Sequence, residues 1–488
     1  VYLGIDIGTS AVKAVLMDES GVVTDQAKGS LEVSRPHELW SEQAPGDWWL
    51  ATSKAVLGLP AERRRQVKGI GLSGQMHGAT LLDSEDTPLR PAILWNDGRS
   101  AAQCATLEAT EARSRDITGN LAMPGFTAPK LLWVREHEPR VWDKIATVLL
   151  PKDYVRLRMT GERATDLSDA SGTLWVDVGA RRWSSEMLSA TGLDPSHMPR
   201  LYEGTEITGK LRPDIAEQWG MGAVPVAAGA GDNAAGAAGV GVIASGDALL
   251  SLGTSGVIFV ANDRFRPNPG AAVHAFCHCL PERWHQMSVM LNAAVCLDWV
   301  ARLTGFGNAG ALIEAVDARD PRTESLLFLP YLGGERTPHN NPNAKGVFFG
   351  LTHETDAAAL GLAVLEGVAL AFADGLAVLR AAGTEIESIS VIGGGSRSER
   401  WGRIIAAALN RPLIYRHGGD VGPALGAARL AQVATAGLSV ETVCTAPAIA
   451  HVVEPNPRMV ATMARKHERF RQLYKNIENN FLETQDDR

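Results

Sequence analysis

VYLGIDIGTSAVKAVLM (Val1–Met17) reads as strand, turn, strand, and half a chain later LLSLGTSGVIFV (Leu249–Val260) repeats it. In each copy an apolar run stops at Gly-Thr-Ser, residues 8–10 and 253–255, and a second apolar run follows. Short β-prone runs flanking turn residues are hairpin signals. A unit that recurs at a large offset marks an internal duplication. The repeat predicts two similar domains, 1–242 and 243–488, flanking a cleft. Strand and helix patterns alternate in both halves, which predicts α/β layers. The copies differ at one chemically important place: Asp6 ends the first strand, and Ser251 stands there in the second. Only the first hairpin brings the carboxylate that organising a divalent cation requires. Gly8, Thr9 and Ser10, like Gly253 and Thr254, offer backbone N–H groups and hydroxyls to an anion, as nests do. Two such turns facing each other suit a triphosphate.

Bulk composition narrows the classes. A chain of 488 residues is too long for one compact core and suits two or three domains. The net charge of −8 argues against a general binder of nucleic acid or anionic membrane. Phosphate would have to be held by local backbone and a metal. No uninterrupted apolar run of about 18 residues is present, so no membrane span is expected. The first residues lack the basic-then-apolar pattern of a leader peptide. Five cysteines, an odd number in so long a chain, predict a reducing compartment, with the cytoplasm as default.

The stretch VPVAAGAGDNAAGAAGVGV (Val224–Val242) closes the first half, and Asp232 is its only charged residue. Small neighbours let backbone approach backbone or a ligand closely. A lone carboxylate in such surroundings is costly to bury unless something uses it. Asp before Asn-Ala-Ala suits a helix cap. An acid perturbed by its surroundings also suits catalysis. From this stretch both readings stay open.

Other segments supply candidate ligand groups. Strand VKGIGLS (67–73) leads into Gly74-Gln75-Met76-His77-Gly78; His77 there reads either as a satisfied structural histidine or, flanked by glycines after a strand, as a cleft residue. The glycines at 69, 71 and 74 match a dinucleotide fingerprint, but they lie within the strand and no helix pattern follows. In ILWNDGR (93–99), Asn96, Asp97 and Arg99 suit directional hydrogen bonds to a polyol, with Trp95 against its carbon chain. Lys130 and Trp133 share one helical face. Gly204 to Lys210 imitates a phosphate-binding loop, but Leu211 replaces the hydroxyl that should hold Mg²⁺. His274, Cys277, His278, Cys279 and His285 tempt a zinc reading; strand alternation splits histidines from cysteines, so neither face supplies four ligands. Residues 328–351 read as a long loop, 356–382 as a buried apolar helix and 457–482 as a covering helix. A strand at 388–392 meets Gly393, Gly394, Gly395 and Ser396, then a helix to Leu409, a place for a nucleotide at a helix N-terminus. The segment 418–431 repeats that layout.

Taken in order, GIDIGTSAVK, GQMHG, WNDGR, GFTAPKLLWVREH, GAGDNAAG, SLGTSG, GVFFGL and IGGGSRSE resemble the FGGY family of sugar kinases across nearly the whole chain. QMHG, ILWNDGR and PHNNP are most similar to the branch that phosphorylates a pentulose. The resemblance implies two ribonuclease H-like domains of the actin, hexokinase and Hsp70 type. It implies in-line phosphoryl transfer from ATP with Mg²⁺ to a sugar, no nucleic-acid or membrane partner, and the homodimer common in that family. By motif, the catalytic base falls on Asp232, and Asp6 on the Mg²⁺ and phosphate position. Met76, His77 and Asn233 fall on sugar contacts, with Asn96, Asp97 and Arg99 as further candidates. The turns at Gly8, Thr9, Ser10 and at Gly253, Thr254 fall on the phosphates, and Gly394, Gly395 and Ser396 on the adenosine side. Two alternatives remain. One is a kinase for ribulose, gluconate, glycerol or another ketose. The other is an ATP-driven switch of the same fold, which would have no need of a polyol pocket.

Overall fold

In the computed structural model, residues 1–319, 325–417 and 422–481 are described. Residues 418–421, the start of the segment expected to repeat the strand-glycine-helix layout, and residue 482 of the expected covering helix lie outside them.

The first half contains strands β1 (Tyr2–Ile7), β2 (Ala11–Met17), β3 (Val23–Ser30), β4 (Gly69–Gly74), β5 (Ile207–Lys210), β6 (Pro225–Ala227) and β7 (Ala230–Gly231). Its helices include α1 (Pro45–Leu57), α2 (Pro151–Thr160) and α3 (Asp232–Gly239). The strands form one sheet in the order β5-β6-β4-β1-β2-β3, with β7 also beside β4. The second half contains β8 (Ala248–Leu252), β9 (Gly256–Asn262), β10 (His274–Cys277), β11 (Trp284–Met290), β12 (Ile389–Ile392), β13 (Leu413–Arg416) and β14 (Ile449–Val453). These order as β10-β11-β9-β8-β12-β13-β14. Its helices include α4 (Ala357–Ala381), α5 (Glu399–Leu409), α6 (Pro423–Ala436) and α7 (Pro457–Ile477).

The duplication read from the two hairpins runs through both sheets. The central strand β1 pairs antiparallel with β2 and parallel with β4, and β4 pairs parallel with β6. Its counterpart β8 pairs antiparallel with β9 and parallel with β12, and β12 pairs parallel with β13. Each sheet ends in an antiparallel edge, β5 on β6 and β14 on β13.

The halves are interlocked rather than merely tethered. Helix α6 comes from the second half of the chain yet packs on β1 and β4 of the first sheet and against α3. Small residues at the contacts make this possible. A Cβ on Gly71 would stand 1.9 Å from the Ala427 carbonyl oxygen, and one on Gly426 would stand 1.8 Å from the Ala235 oxygen. Only glycine allows backbones that close. Arg429 of α6 donates to the Ala238 oxygen at the end of α3, 3.2 Å away.

Helix α4 is long and apolar enough by length and composition to cross a membrane, but it lies largely buried inside the second half. No uninterrupted apolar run marks it in the sequence because Glu366, Asp374 and Arg380 punctuate it. Two of these interruptions hold α7: Asp374 accepts hydrogen bonds from His467 and Arg471, and Glu366 pairs with Lys466 at 2.5 Å. The long loop expected over 328–351 carries short strands instead, with Leu327–Leu329 paired to Val347–Phe349.

Replacing Gly426 with Ala forces backbone apart where no flexible side chain can yield. Overpacking of this kind costs about 1–3 kcal/mol, so the thermal midpoint of Gly426→Ala should fall by several degrees in calorimetry. An unchanged midpoint would mean that α3 and α6 are not held in contact in solution.

Candidate active site

Three parallel strands finish on one level. In β1, β4 and β7, Asp6 stands opposite Ser73, and Ser73 opposite Ala230; on the next rung Ile7, Gly74 and Gly231 align. The segments that leave these strands, Gly8-Thr9-Ser10, Gln75-Met76-His77 and Asp232-Asn233, therefore meet at one sheet edge. In open α/β sheets the crevice beyond the carboxyl ends of the strands is where ligands bind.

Asp232 and Asp6 are both half-buried there. Burial first, and the neighbouring Asp6 carboxylate second, push Asp232 up to about 7, against the opposing hydrogen bonds from Asn233. Burial pushes Asp6 up to about 6, opposed by the Ser73 hydroxyl and the charge of Lys13. Asp6 Oδ1 is buried and has no hydrogen-bond partner in the protein. The capping expectation for Asp232 needs correction. Gly231 is the N-cap, because it still pairs with Gly74 in extended conformation, so Asp232 is already the first helical residue. Its Oδ1 accepts from the Asn233 backbone N–H (2.7 Å) and the Asn233 side-chain amide (2.8 Å).

Met76 is buried against Gly231. His77 adopts a left-handed backbone, φ 70°. The His77 carbonyl oxygen accepts from Lys130 Nζ at 2.8 Å and from the Thr127 hydroxyl at 3.1 Å, which holds that turn. The His77 ring nitrogen Nδ1 lies 2.7 Å from the Gly172 carbonyl oxygen. A carbonyl only accepts, so Nδ1 carries the proton and Nε2 is left as an acceptor. Burial, then the charge of Lys130, pushes His77 down to about 3, so the ring is neutral.

Asp97 and Arg99 are placed differently from the expectation. Arg99 donates to both Asp97 oxygens, pairs with Glu42 at 2.8 Å and lies 3.6 Å over the Trp40 ring. Asp97 also accepts from the Ser41 backbone at 2.6 Å. Their side chains are almost fully buried and bound to each other and to Glu42, which places them behind the wall. Two opposite charges two residues apart satisfy each other once both are enclosed. Asn96 keeps a buried Oδ1 without a partner. Half-exposed Trp95 sits at the rim and donates to the Thr9 hydroxyl at 3.0 Å.

That hydroxyl also donates to Gln75, which donates in turn to Gln43. This chain of amides ties the first Gly-Thr-Ser turn to the QMHG turn. It escaped the sequence reading because Gln43 carries no motif of its own. Lys130 was visible there only as a helical neighbour of Trp133.

On the opposite wall, Thr254 and Ser255 are exposed at the tip of the second hairpin. The Gly253 and Thr254 carbonyls accept from Ala294 and Ala293 at the start of the next helix. Gly394, Gly395 and Ser396 lie in a short 3₁₀ turn, and α5 begins only at Glu399, with Ser398 as its cap. The expected helix N-terminus is thus displaced from the glycines, because Ser396 donates back to the Gly393 oxygen at 2.6 Å and closes a turn first. Nothing lies within 4 Å of a Cβ built on Gly394, so that backbone is open to approach. A cavity of about 250 Å³ joins Asp232 and Asn233 to Ser251, Val257 and Ile392 of the second sheet. Among the described residues no group of three His, Cys, Asp or Glu side chains is placed to hold a metal ion by itself. Asp6, with its unpartnered oxygen, fits a Mg²⁺ that one or two carboxylates share with substrate phosphates.

The sequence matches the model for the FGGY family of carbohydrate kinases, N-terminal domain, over residues 1–239, and the C-terminal domain over residues 248–435. It is 59% identical over 435 residues to a xylulose kinase of Escherichia coli (strain K12), covering 89% of this chain and 90% of that protein. The fold superposes on the crystal structure of a xyloylose kinase from Brucella ovis with a TM-score of 0.95 at 50% identity, covering 98% of this chain and 99% of that one. It superposes on Plasmodium falciparum glycerol kinase with a TM-score of 0.86 at 18% identity, a likeness of fold alone over 98% of each chain. A duplicated α/β fold, two carboxylates at the shared strand ends and matches that span both halves lead to one conclusion: the chain belongs to the FGGY family of carbohydrate kinases.

Proposed function

We propose that the protein transfers the γ-phosphate of ATP to the 5-hydroxyl of D-xylulose, giving D-xylulose 5-phosphate. The observation that carries the mechanism is the pair of half-buried carboxylates at the ends of the two parallel strands that flank β4, one of them pushed up to about 7. The sugar is suggested by 59% identity to a protein named xylulose kinase.

A primary hydroxyl is a poor nucleophile. Asp232 accepts its proton as the new P–O bond forms, and a base with a pKa near the working pH does this best. Asn233 fixes one carboxylate oxygen, which leaves the other for the sugar. His77 Nε2 accepts a hydrogen bond from a sugar hydroxyl, and its neutrality keeps it an acceptor at physiological pH. Met76 gives an apolar wall for the carbon chain, and Asn96 offers its unpartnered Oδ1 at the rim. Asp97 and Arg99 act behind that wall. Asp6 would hold Mg²⁺, which would supply charge neutralisation on the transferring phosphoryl group. The Gly8 and Gly253 N–H groups close their own turns on the Ala11 and Ser255 oxygens, so the backbone N–H groups of Thr9, Ser10 and Thr254 are the ones that hold the phosphates; the Thr9 side chain is already engaged by Gln75 and Trp95. The open backbone of Gly394, Gly395 and Ser396 lies on the adenosine side.

Asp232→Asn removes the base while keeping its shape. In a coupled ADP-release assay kcat should fall about 10²- to 10⁴-fold with KM for the sugar little changed. Retention of most sugar-dependent activity would sink the assignment. Because Asp232 must be ionised, activity should fall as pH drops through about 7. A wild-type rate that stays flat down to the ordinary carboxylate range would contradict a raised pKa.

Lys130→Met leaves the His77 carbonyl without its charged donor. A hydrogen bond to a charged group contributes about 1.5–3 kcal/mol, so KM for D-xylulose should rise about tenfold or more while kcat holds. An equal loss for every ketose in a substrate panel would instead point to general unfolding of the turn.

A further inference from the structure

We infer that Ser168 is a positioning residue for Asp232, held by a buried ionic cluster that takes no part in the chemistry itself. The inference rests on the reading of Asp232 as the base.

Ser168 lies in the helical turn Leu167–Ala170, far from Asp232 in sequence. Its Oγ accepts from the backbone N–H of Gly231, the residue before the base, at 3.1 Å. The same oxygen donates to Asp166 Oδ1 at 2.5 Å. An ionised carboxylate only accepts, so the hydroxyl proton points to Asp166 and the lone pairs are left for Gly231. Asp166 is held in turn. Its Oδ1 accepts from the Ser168 and Asp169 backbones, and its Oδ2 lies 2.8 Å from Lys152 Nζ. Lys152 also reaches Asp153 at 2.6 Å and Asp169 at 3.0 Å, and every side chain in the group is fully buried.

The cluster grips the strand leading to Asp232 at more than one point. Arg156, also fully buried beside Asp153, donates to the Ala227 and Ala228 carbonyl oxygens. With Ser168 on the Gly231 N–H, the backbone from 227 to 231 is pinned from one side along its length. Gly231 cannot be held by a side chain of its own. A Cβ there would stand 2.9 Å from Met76 Cγ and 3.0 Å from its Sδ. Its position can be set only through its backbone, and the ladder to Gly74 with the Ser168 bond does this.

Charge burial on this scale needs a reason. Buried ionic groups seldom stabilise a fold more than packed apolar side chains of the same volume. The three carboxylates outnumber Lys152 and Arg156, and burial pushes Asp169 well above the usual carboxylate range. A rigid, directional network suits placement of a neighbouring group. A base misplaced by about 1 Å loses about 10²-fold in rate.

The test is a double-mutant cycle on D-xylulose phosphorylation. Ser168→Ala should lower kcat about 10- to 100-fold while D-xylulose affinity, measured by calorimetry, stays within about twofold. Asp166→Asn keeps the shape and removes the charge that orients the hydroxyl, and it should show the same split. Ser168→Ala placed on Asp232→Asn should add nothing, because a residue that acts through Asp232 has no effect once the base is gone. Wild-type kcat in both single variants, or a further loss in the double variant, overturns the positioning role and leaves the base assignment standing. Wild-type kcat in Asp232→Asn overturns both.

Discussion

Asp6 and Asp232 lie far apart in the chain, and only the register of three parallel strands brings them to one edge. Everything proposed for the site depends on that register. A slip of one residue in β7 would turn Asp232 to the other face and leave its helix starting at another level. Strand β7 is only two residues long, and glycines hold two of the three places on the final rung. Register is therefore enforced from outside the ladder, by Lys130 on the His77 turn, by the Thr9–Gln75–Gln43 amides, and by helices packed close on both sides. Proximity of the carboxylates then has an electrostatic consequence. Each is half-buried, and Asp6 adds its charge to the burial that raises Asp232.

The same closeness of backbone joins the two halves. Helix α6 belongs to the second half by sequence but lies on the first sheet and crosses α3 at Gly426 and Ala235. A crossing of bare backbones this close cannot be compressed. Asp232 sits at the start of one of the two crossing helices, directly beside the cavity that reaches the second hairpin. Placement of the base and coupling of the halves thus share one helix.

Much of this was legible in the chain. The paired Gly-Thr-Ser hairpins announced the duplication, and the strand pairings of the two sheets repeat each other around them. Asp232 stood out as a lone acid among small residues, and the structure puts it beside Asp6. Three matters were not legible, each for a physical reason. Helix capping at Asp232 was displaced by one residue because strand pairing continues through Gly231. Asp97 and Arg99 look like ligand groups in sequence, but burial makes each the other's partner. Ser168 and the Lys152 cluster carry no recognisable motif, because their meaning lies in which distant backbone they touch.

The most direct test of the central claim is a crystal structure with D-xylulose, Mg²⁺ and a non-hydrolysable ATP analogue bound. The account predicts an Asp232 carboxylate oxygen within hydrogen-bond reach of the sugar's 5-hydroxyl, about 2.6–3.2 Å, with that hydroxyl facing the γ-phosphate and Asp6 on the metal side. A sugar bound with its 5-hydroxyl turned away from Asp232, and another group in reach of it, would contradict the account.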